Sequence, residues 1–217
     1  MSLSSGEHTV NDKSGADNHN RQTRGFDFFR GFLREPEIVG SVIPSSRFLE
    51  EKIISAASLD NARLVVELGP GTGGTTRSFL RRMPADSTLL TIEISKAFTD
   101  LLDEIDDPRL VNHCGSAMEI ESILGQYHLD SPDIVISGIP FSTIAPAVGG
   151  QILEAIWHSL RPGGHFVAYQ FRGHVARLAK PVFGDPDVIP ELRNIPPMRV
   201  YCWRKNGPGS VPAPEKG

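Results

Sequence analysis

The stretch Arg63-Leu64-Val65-Val66-Glu67-Leu68 runs directly into Gly69-Pro70-Gly71-Thr72-Gly73-Gly74 and then into Thr75 to Met83. Its first part is short, mostly apolar and β-branched at its centre, the pattern of a strand buried on both faces. Glycines at 69, 71 and 73 let the chain turn sharply and approach a ligand closely, because glycine adopts left-handed backbone angles without a steric penalty. Phe79, Leu80 and Met83 then return apolar groups at three- and four-residue spacing, which is helical. Strand, glycine turn and helix in that order predict an open α/β sheet whose ligand sits beyond the carboxyl ends of the strands.

The alternation continues downstream. Thr88 to Ile94, Arg109 to Cys114, Asp133 to Ser137 and His165 to Phe171 read as further buried strands. Between them, Phe98, Leu101, Leu102 and Ile105 share one helical spacing, and Ile152, Leu153, Ile156, Trp157 and Leu160 share another. Such alternation requires right-handed crossovers, so the sheet is predicted to be mainly parallel, seven-stranded and Rossmann-like, with helices on both faces. Asp187 to Asn194 and Met198 to Lys205, joined through Ile195-Pro196-Pro197, predict an antiparallel hairpin at one edge.

Composition bounds the remaining options. A chain of 217 residues with 39% hydrophobic and 22% charged residues suits one globular core with appendages. Residues 1–20 are polar and aperiodic and read as a flexible tail; 207–217, rich in Pro and Gly, read as a disordered one. Between them we place an N-terminal helical segment at 21–57 and the α/β domain at 58–206. No run is long and apolar enough to span a bilayer, so a cytoplasmic protein is expected. The net charge of -4 argues against binding nucleic acid through global charge. Two cysteines, Cys114 and Cys202, build neither a disulfide framework nor a zinc site, and no metal is expected; both read as small buried hydrophobes.

The glycine run is not a dinucleotide fingerprint, because its third glycine comes two residues after the second and Glu67 precedes the first by two. A pyrophosphate would be repelled by that carboxylate, whereas a cationic ligand would be favoured. Glu-x-Gly-x-Gly-x-Gly resembles motif I of the class I S-adenosylmethionine-dependent methyltransferases. The resemblance implies that S-adenosylmethionine, and its product S-adenosylhomocysteine, is held by Glu67, Gly69, Pro70, Gly71, Thr72 and Gly73. Glu93, at the end of the second strand, would accept the ribose hydroxyls, with Ile94 beside it. Ser116, Ala117 and Met118 follow the third strand near the adenine, Ser116 standing where the family usually has Asp. Ser137 closes the fourth strand, and Leu160-Arg161-Pro162-Gly163-Gly164 matches the family's turn before its fifth.

Ser137-Gly138-Ile139-Pro140-Phe141-Ser142 then occupies the acceptor position, so Gly138, Ile139 and Pro140 are candidate catalytic residues. Enzymes of nucleic-acid amine methylation typically place Asn or Asp where this chain has Gly138, and a glycine offers only backbone. An rRNA adenine N6-methyltransferase, a small-molecule methyltransferase and a non-catalytic cofactor-binding module stand as the alternatives. Tyr169, at the end of the fifth strand, is a further candidate contact, with packing as the competing reading.

Upstream, Arg21, Arg24, Arg30 and Arg34 interleave with Phe26, Phe28, Phe29, Phe32 and Leu33, and residues 21–34 carry a net +3. On a helix Phe26, Phe29 and Leu33 share a face with Phe32 beside it, and with Arg24, Arg30 and Arg34 they make a candidate membrane-interface element, the alternative being a helix packed on the domain. Phe32 to Arg47, with its Gly-x-x-x-Pro-Ser-Ser run at Gly40 to Ser46, is similar to the N-terminal signature of the bacterial phospholipid N-methyltransferases, and Asn194 to Tyr201 to their C-terminal one. That resemblance implies methylation of the phosphatidylethanolamine amine toward phosphatidylcholine. It also implies an anionic lipid surface as partner, no nucleic acid, a monomer off the membrane, and peripheral association with the inner face of the cytoplasmic membrane. Arg47, Arg172 and Arg199 are the candidates to hold the lipid phosphate, since guanidinium matches phosphate oxygens in pairs.

Overall fold

The computed structural model describes residues 46–194 and 196–206. β1 (Leu64–Leu68) is buried at every position, as its apolar run requires, and lies between two parallel neighbours, β2 (Thr88–Glu93) and β4 (Ile134–Ser137). β3 (Leu110–Cys114) extends the sheet beyond β2, and β5 (His165–Gln170) extends it beyond β4, both parallel. β6 (Asp187–Glu191) and β7 (Met198–Arg204) form the antiparallel hairpin expected from the sequence, β7 pairing with β5 and leaving β6 at the edge. The order β3-β2-β1-β4-β5-β7-β6 turns back on itself at β1, and the crevice opened there lies directly over the glycine loop.

Alternate strand residues feed two cores. Val66, Leu68, Leu90, Val135 and Phe166 pack on one face, which is covered by α4 (Ile120–Gln126), α5 (Pro146–Ser159) and α6 (His174–Phe183). Val65, Leu89, Ile136, Val167 and Val200 pack on the other, beneath α1 (Arg47–Ala57) and α2 (Gly74–Leu80). α3 (Lys96–Leu102) joins β2 to β3. α1 starts where the Ser46 hydroxyl accepts from the Leu49 N–H, 3.3 Å, and stops at Ser58, which takes a left-handed φ of 58°. Because Leu49, Ile53, Ile54 and Ala57 of α1 are buried in the second core, the boundary drawn at 57/58 falls inside one packed unit.

Other expectations shift for local reasons. β3 is an edge strand and only half-buried, and Cys114 at its end is exposed instead of buried. Cys202 is partly buried and donates to the Ala56 carbonyl, and burial pushes its thiol up to about 11. β5 ends at Gln170, which leaves Phe171 exposed. α4 and α6 were not anticipated; α6 buries only Val175 and Ala179 fully and carries Pro181, a residue that reads as a helix breaker. The tails at 1–20 and 207–217, and the segment with Arg24, Phe26, Phe29, Arg30, Phe32, Leu33 and Arg34, lie outside the described residues. Among the described residues no helix is long and apolar enough to cross a membrane.

Candidate functional site

Three strand ends converge on the glycine loop. The Gly69 N–H donates to the Ile92 carbonyl at 3.0 Å and the Gly138 N–H donates to the Leu68 carbonyl at 2.9 Å, so β2 and β4 both pin the end of β1. Gly69, Gly71 and Gly73 all take positive φ, 69°, 59° and 79°. A side chain at Gly73 would also come within 2.8 Å of Leu102, whereas at Gly71 it would meet nothing, so Gly71 marks the open face of the loop.

Glu93 ties this loop to the next. Its Oε2 accepts from the Gly71 N–H at 3.1 Å and its Oε1 from the Ser95 N–H at 2.9 Å. Burial raises its pKa, and the backbone N–H groups oppose that rise by stabilising the charge. Each carboxylate oxygen keeps acceptor capacity for a further donor, as a ribose diol requires. Arg77, the basic side chain closest in sequence to the loop, is folded back onto the Thr72 and Gly73 carbonyls at 3.3 and 3.2 Å, so its charge is committed to the loop's own backbone. An open loop face beside a buried carboxylate with acceptor capacity to spare fits the nucleoside of S-adenosylmethionine.

Glu67 sits elsewhere than a carboxylate that meets a cationic ligand directly. It is wholly buried, and its two oxygens accept from the Thr75 hydroxyl at 2.6 Å and the Thr76 hydroxyl at 2.7 Å. It therefore lies beneath the loop and fastens α2 to β1. Burial outweighs those two bonds and pushes its carboxyl up to about 7, with the Glu93 charge adding to the rise. Thr75 and Thr76 escaped sequence reading, although adjacent hydroxyl residues opening a helix just after an acid-bearing strand were the signal.

On the acceptor side two carbonyls of the chain leaving β4, those of Ile139 and Pro140, are occupied. Ile139 O accepts from Gln170 Nε2 at 2.7 Å and from the Phe141 N–H at 2.9 Å; Pro140 O accepts from the Thr143 N–H and hydroxyl at 2.9 and 2.8 Å. The Ser137 hydroxyl accepts from the Ile139 N–H at 3.3 Å, and Phe141 is buried in the core. A side chain at Gly138 would overlap the Tyr169 hydroxyl and lie 2.9 Å from the Gly69 carbonyl oxygen. The space in which Asn or Asp would hold a nucleobase amine is thus already filled. Burial, and the nearby Glu67 and Glu50 charges, raise the pKa of the Tyr169 phenol, which keeps it protonated. Gln170 was also missed, because a polar residue in an apolar run carries no sign of the carbonyl it holds.

The flanking candidates spread along the same end of the sheet. Ser116 opens a short turn at Ala117–Glu119, where its hydroxyl accepts from the Met118 N–H at 3.3 Å; Ala117 is buried below and Met118 is exposed above. Ile94 follows Glu93 and is half-buried. Arg199 pairs with Gln170 across β7 and β5 and donates to the Phe171 carbonyl at 3.2 Å, which brings it beside exposed Arg172. Arg47 opens α1, whose start is tied to the β6–β7 turn by the Ser46 N–H donating to Asn194 Oδ1 at 3.1 Å. Gly163 and Gly164 belong to the turn entering β5 at the opposite end and take no part. A surface cleft of about 480 Å³ lined by Leu80, Arg81, Met83 and Arg109 is also remote, and its Arg109 is committed to Asp107 and to backbone carbonyls.

No protein-family model matches the chain. Over 186 residues it is 28% identical to the ornithine lipid N-methyltransferase of Singulisphaera acidiphila, a match covering 82% of this chain and 95% of that protein. It is 30% identical over 118 residues to the probable ribosomal RNA small subunit methyltransferase A of Pyrobaculum aerophilum, covering 53% of this chain and 40% of that one. Among solved structures, an O-methyltransferase from Bacillus cereus in complex with S-adenosylhomocysteine superposes with a TM-score of 0.60 at 12% identity, over 82% of this chain and 91% of that one. Likeness at that identity shows the fold, which is the class I methyltransferase architecture inferred from the glycine loop.

Proposed function

We propose that this chain, a class I S-adenosylmethionine-dependent methyltransferase, methylates the primary amine of a membrane lipid, with phosphatidylethanolamine as acceptor and phosphatidylcholine as the end of the series. The observation that carries the acceptor class is the filled space at Gly138. The Tyr169 hydroxyl and the Gly69 carbonyl stand where a nucleobase-holding side chain would project, so the amine must be received by backbone and phenol instead. The similarity to a lipid N-methyltransferase over most of both chains supports the same class, and the rRNA methyltransferase similarity spans less than half of that relative.

Glu93 receives the ribose hydroxyls and the open face at Gly71 lies along the donor, with Ser116, Ala117 and Met118 bordering its base. When bound, S-adenosylmethionine supplies a methyl group on a sulfonium, which a neutral amine takes up in one displacement. Holding the two reactants in line supplies much of the acceleration, since well-oriented groups reach effective concentrations of about 10⁵ M or more. Arg172 and Arg199 on the rim, with Arg47 at the head of α1, are placed for a phosphate-bearing headgroup. The enzyme then works at an anionic surface as a peripheral protein of the inner face of the cytoplasmic membrane.

Radiolabelled methyl transfer decides the reading. The full chain is offered vesicles of phosphatidylethanolamine, vesicles of ornithine lipid, and rRNA. Label in phosphatidylethanolamine is expected. Label in ornithine lipid alone would keep the lipid-amine class and overturn the headgroup; label in rRNA alone would overturn the class. Cofactor binding with no transfer to any of the three would make the chain a binding module.

A further inference from the structure

Among the described residues, Leu101, Met118, Phe171, Val188 and Leu192 are the large apolar side chains left exposed, and Leu192, at 75%, is the most open of them. Leu192 opens the turn between β6 and β7, and Phe171 follows the last residue of β5. β7 runs antiparallel to both strands, pairing Arg199 with Gln170 on one side and with Pro190 on the other, so β5 and β6 end at the same edge of the sheet. One strand separates them in the order β5-β7-β6, which sets Phe171 and Leu192 about 10 Å apart at the usual strand spacing. Each is followed by an exposed arginine, Arg172 and Arg193 respectively.

A further pair reaches the same turn from α1. The Ser46 N–H bond to Asn194 Oδ1 brings Arg47 and Phe48 to it, and the guanidinium carbons of Arg47 and Arg193 lie 4.9 and 4.0 Å from the centre of the Phe48 ring. Of the carboxylates beside them, Glu191 is buried and paired with Arg193 at 3.1 Å and Lys52 at 3.5 Å, and Glu50 accepts from the Ser78 hydroxyl at 2.6 Å. Together with Glu51, which also faces Arg193, they are outnumbered by Arg47, Lys52, Arg172, Arg193 and Arg199. This edge is therefore basic on a chain whose net charge is -4.

We propose that this edge, with Phe171 and Leu192 at its two tips, docks on an anionic lipid bilayer. The proposal rests on the lipid-amine reading and deepens it by naming a face of the α/β domain itself that meets the membrane. An aliphatic tip such as Leu192 gives a nucleic acid no ring to stack on and no hydrogen bond. The headgroup boundary of a bilayer, by contrast, takes in apolar side chains to a depth of about 5–10 Å while arginines beside them stay among the phosphates. A strand rises about 3.3 Å per residue, so once Phe171 is seated there, Tyr169 and the adjoining Gly138 stand at the level of the headgroups. A lipid amine then reaches the acceptor side without its acyl chains leaving the bilayer.

The test places tryptophan at the tips. Full-length Phe171→Trp and Leu192→Trp, with Leu101→Trp as control, are mixed with phosphatidylglycerol vesicles carrying brominated acyl chains, and the wild-type emission is subtracted. Leu101 is also exposed, but it lies in the last turn of α3, which leads away from this edge to the start of β3. Emission from both tip variants should shift to the blue and be quenched, and that from Leu101→Trp should not change. Changing Phe171 and Leu192 together to Ser should lower vesicle partitioning at least about tenfold and leave S-adenosylhomocysteine affinity intact. Tips that stay unquenched, the outcome a protein partner would give, equal quenching of Leu101→Trp, or a double variant that partitions like wild type would each overturn the docking edge. Quenching at both tips in a protein that labels rRNA and no lipid would keep the edge and strike the acceptor reading; methyl transfer to lipid with neither tip quenched would do the reverse.

Discussion

The two halves of the site are built differently. On the donor side, Glu67, Glu93 and the glycine loop interlock within residues 67–95, and each carboxylate oxygen already accepts a backbone N–H or a hydroxyl. On the acceptor side, Gly138 follows β4, Tyr169 and Gln170 end β5, and Arg199 lies on β7, and the rim beyond them ends in exposed Phe171 and Arg172. The donor half is preorganised by local sequence; the acceptor half is defined by what long-range packing leaves open. A single donor suits the first arrangement, and the proposed lipid acceptor suits the second.

The largest expected effect probes the interior of the donor half. The Glu67 pKa is raised on folding from about 4.5 to about 7, so the folded state holds more protons than the unfolded chain between those values. Its contribution is therefore fully present below about pH 4.5 and is lost as pH rises through 7, on the order of 3 kcal/mol in all. Denaturant titrations of wild type and Glu67→Gln across that window should show the slope in the first and a flatter line in the second; parallel curves would break the account of Glu67. Next is Gly138→Asn, which forces a side chain against the Gly69 backbone and the Tyr169 hydroxyl. Overpacking of this kind costs about 1–3 kcal/mol of stability, and methyl transfer should be lost with it. A stable Gly138→Asn protein that labels rRNA would erase the distinction between the halves.

Glu93→Ala should lower S-adenosylhomocysteine affinity at least tenfold, about 1.4 kcal/mol, because it removes the proposed ribose acceptor and releases the Gly71 and Ser95 N–H groups together. An unchanged dissociation constant by calorimetry would reject the ribose assignment. The smallest effect belongs to the rim. Arg172→Ala and Arg199→Ala together should raise KM for phosphatidylethanolamine a few-fold, about 1 kcal/mol, without altering S-adenosylhomocysteine binding. A KM that stays fixed would sharpen the comparison by removing the phosphate from the acceptor contacts.

The contrast between the halves also explains what could be read in advance. The strands around β1, the crevice over Gly69 to Gly73 and the position of Glu93 follow from hydrophobic period and glycine spacing, which act over a few residues. The role of Glu67 did not follow, because its charge suggested a ligand, and only the placement of Thr75 and Thr76 turns the carboxylate inward. Gln170 and Tyr169 gain meaning from β4, about thirty residues earlier in the chain, and no local pattern encodes that pairing. α6 was hidden by Pro181, and Cys114 was misjudged because an edge strand and a central one share the same apolar composition.

Mass spectrometry of the lipids extracted from a host expressing the full chain, beside a host expressing Glu93→Ala, tests the central claim most directly. The account predicts phosphatidylethanolamine species heavier by one, two and three methyl groups in the first extract and none in the second. Identical lipid profiles in the two extracts, with new methylated adenine in the rRNA of the first, would contradict it.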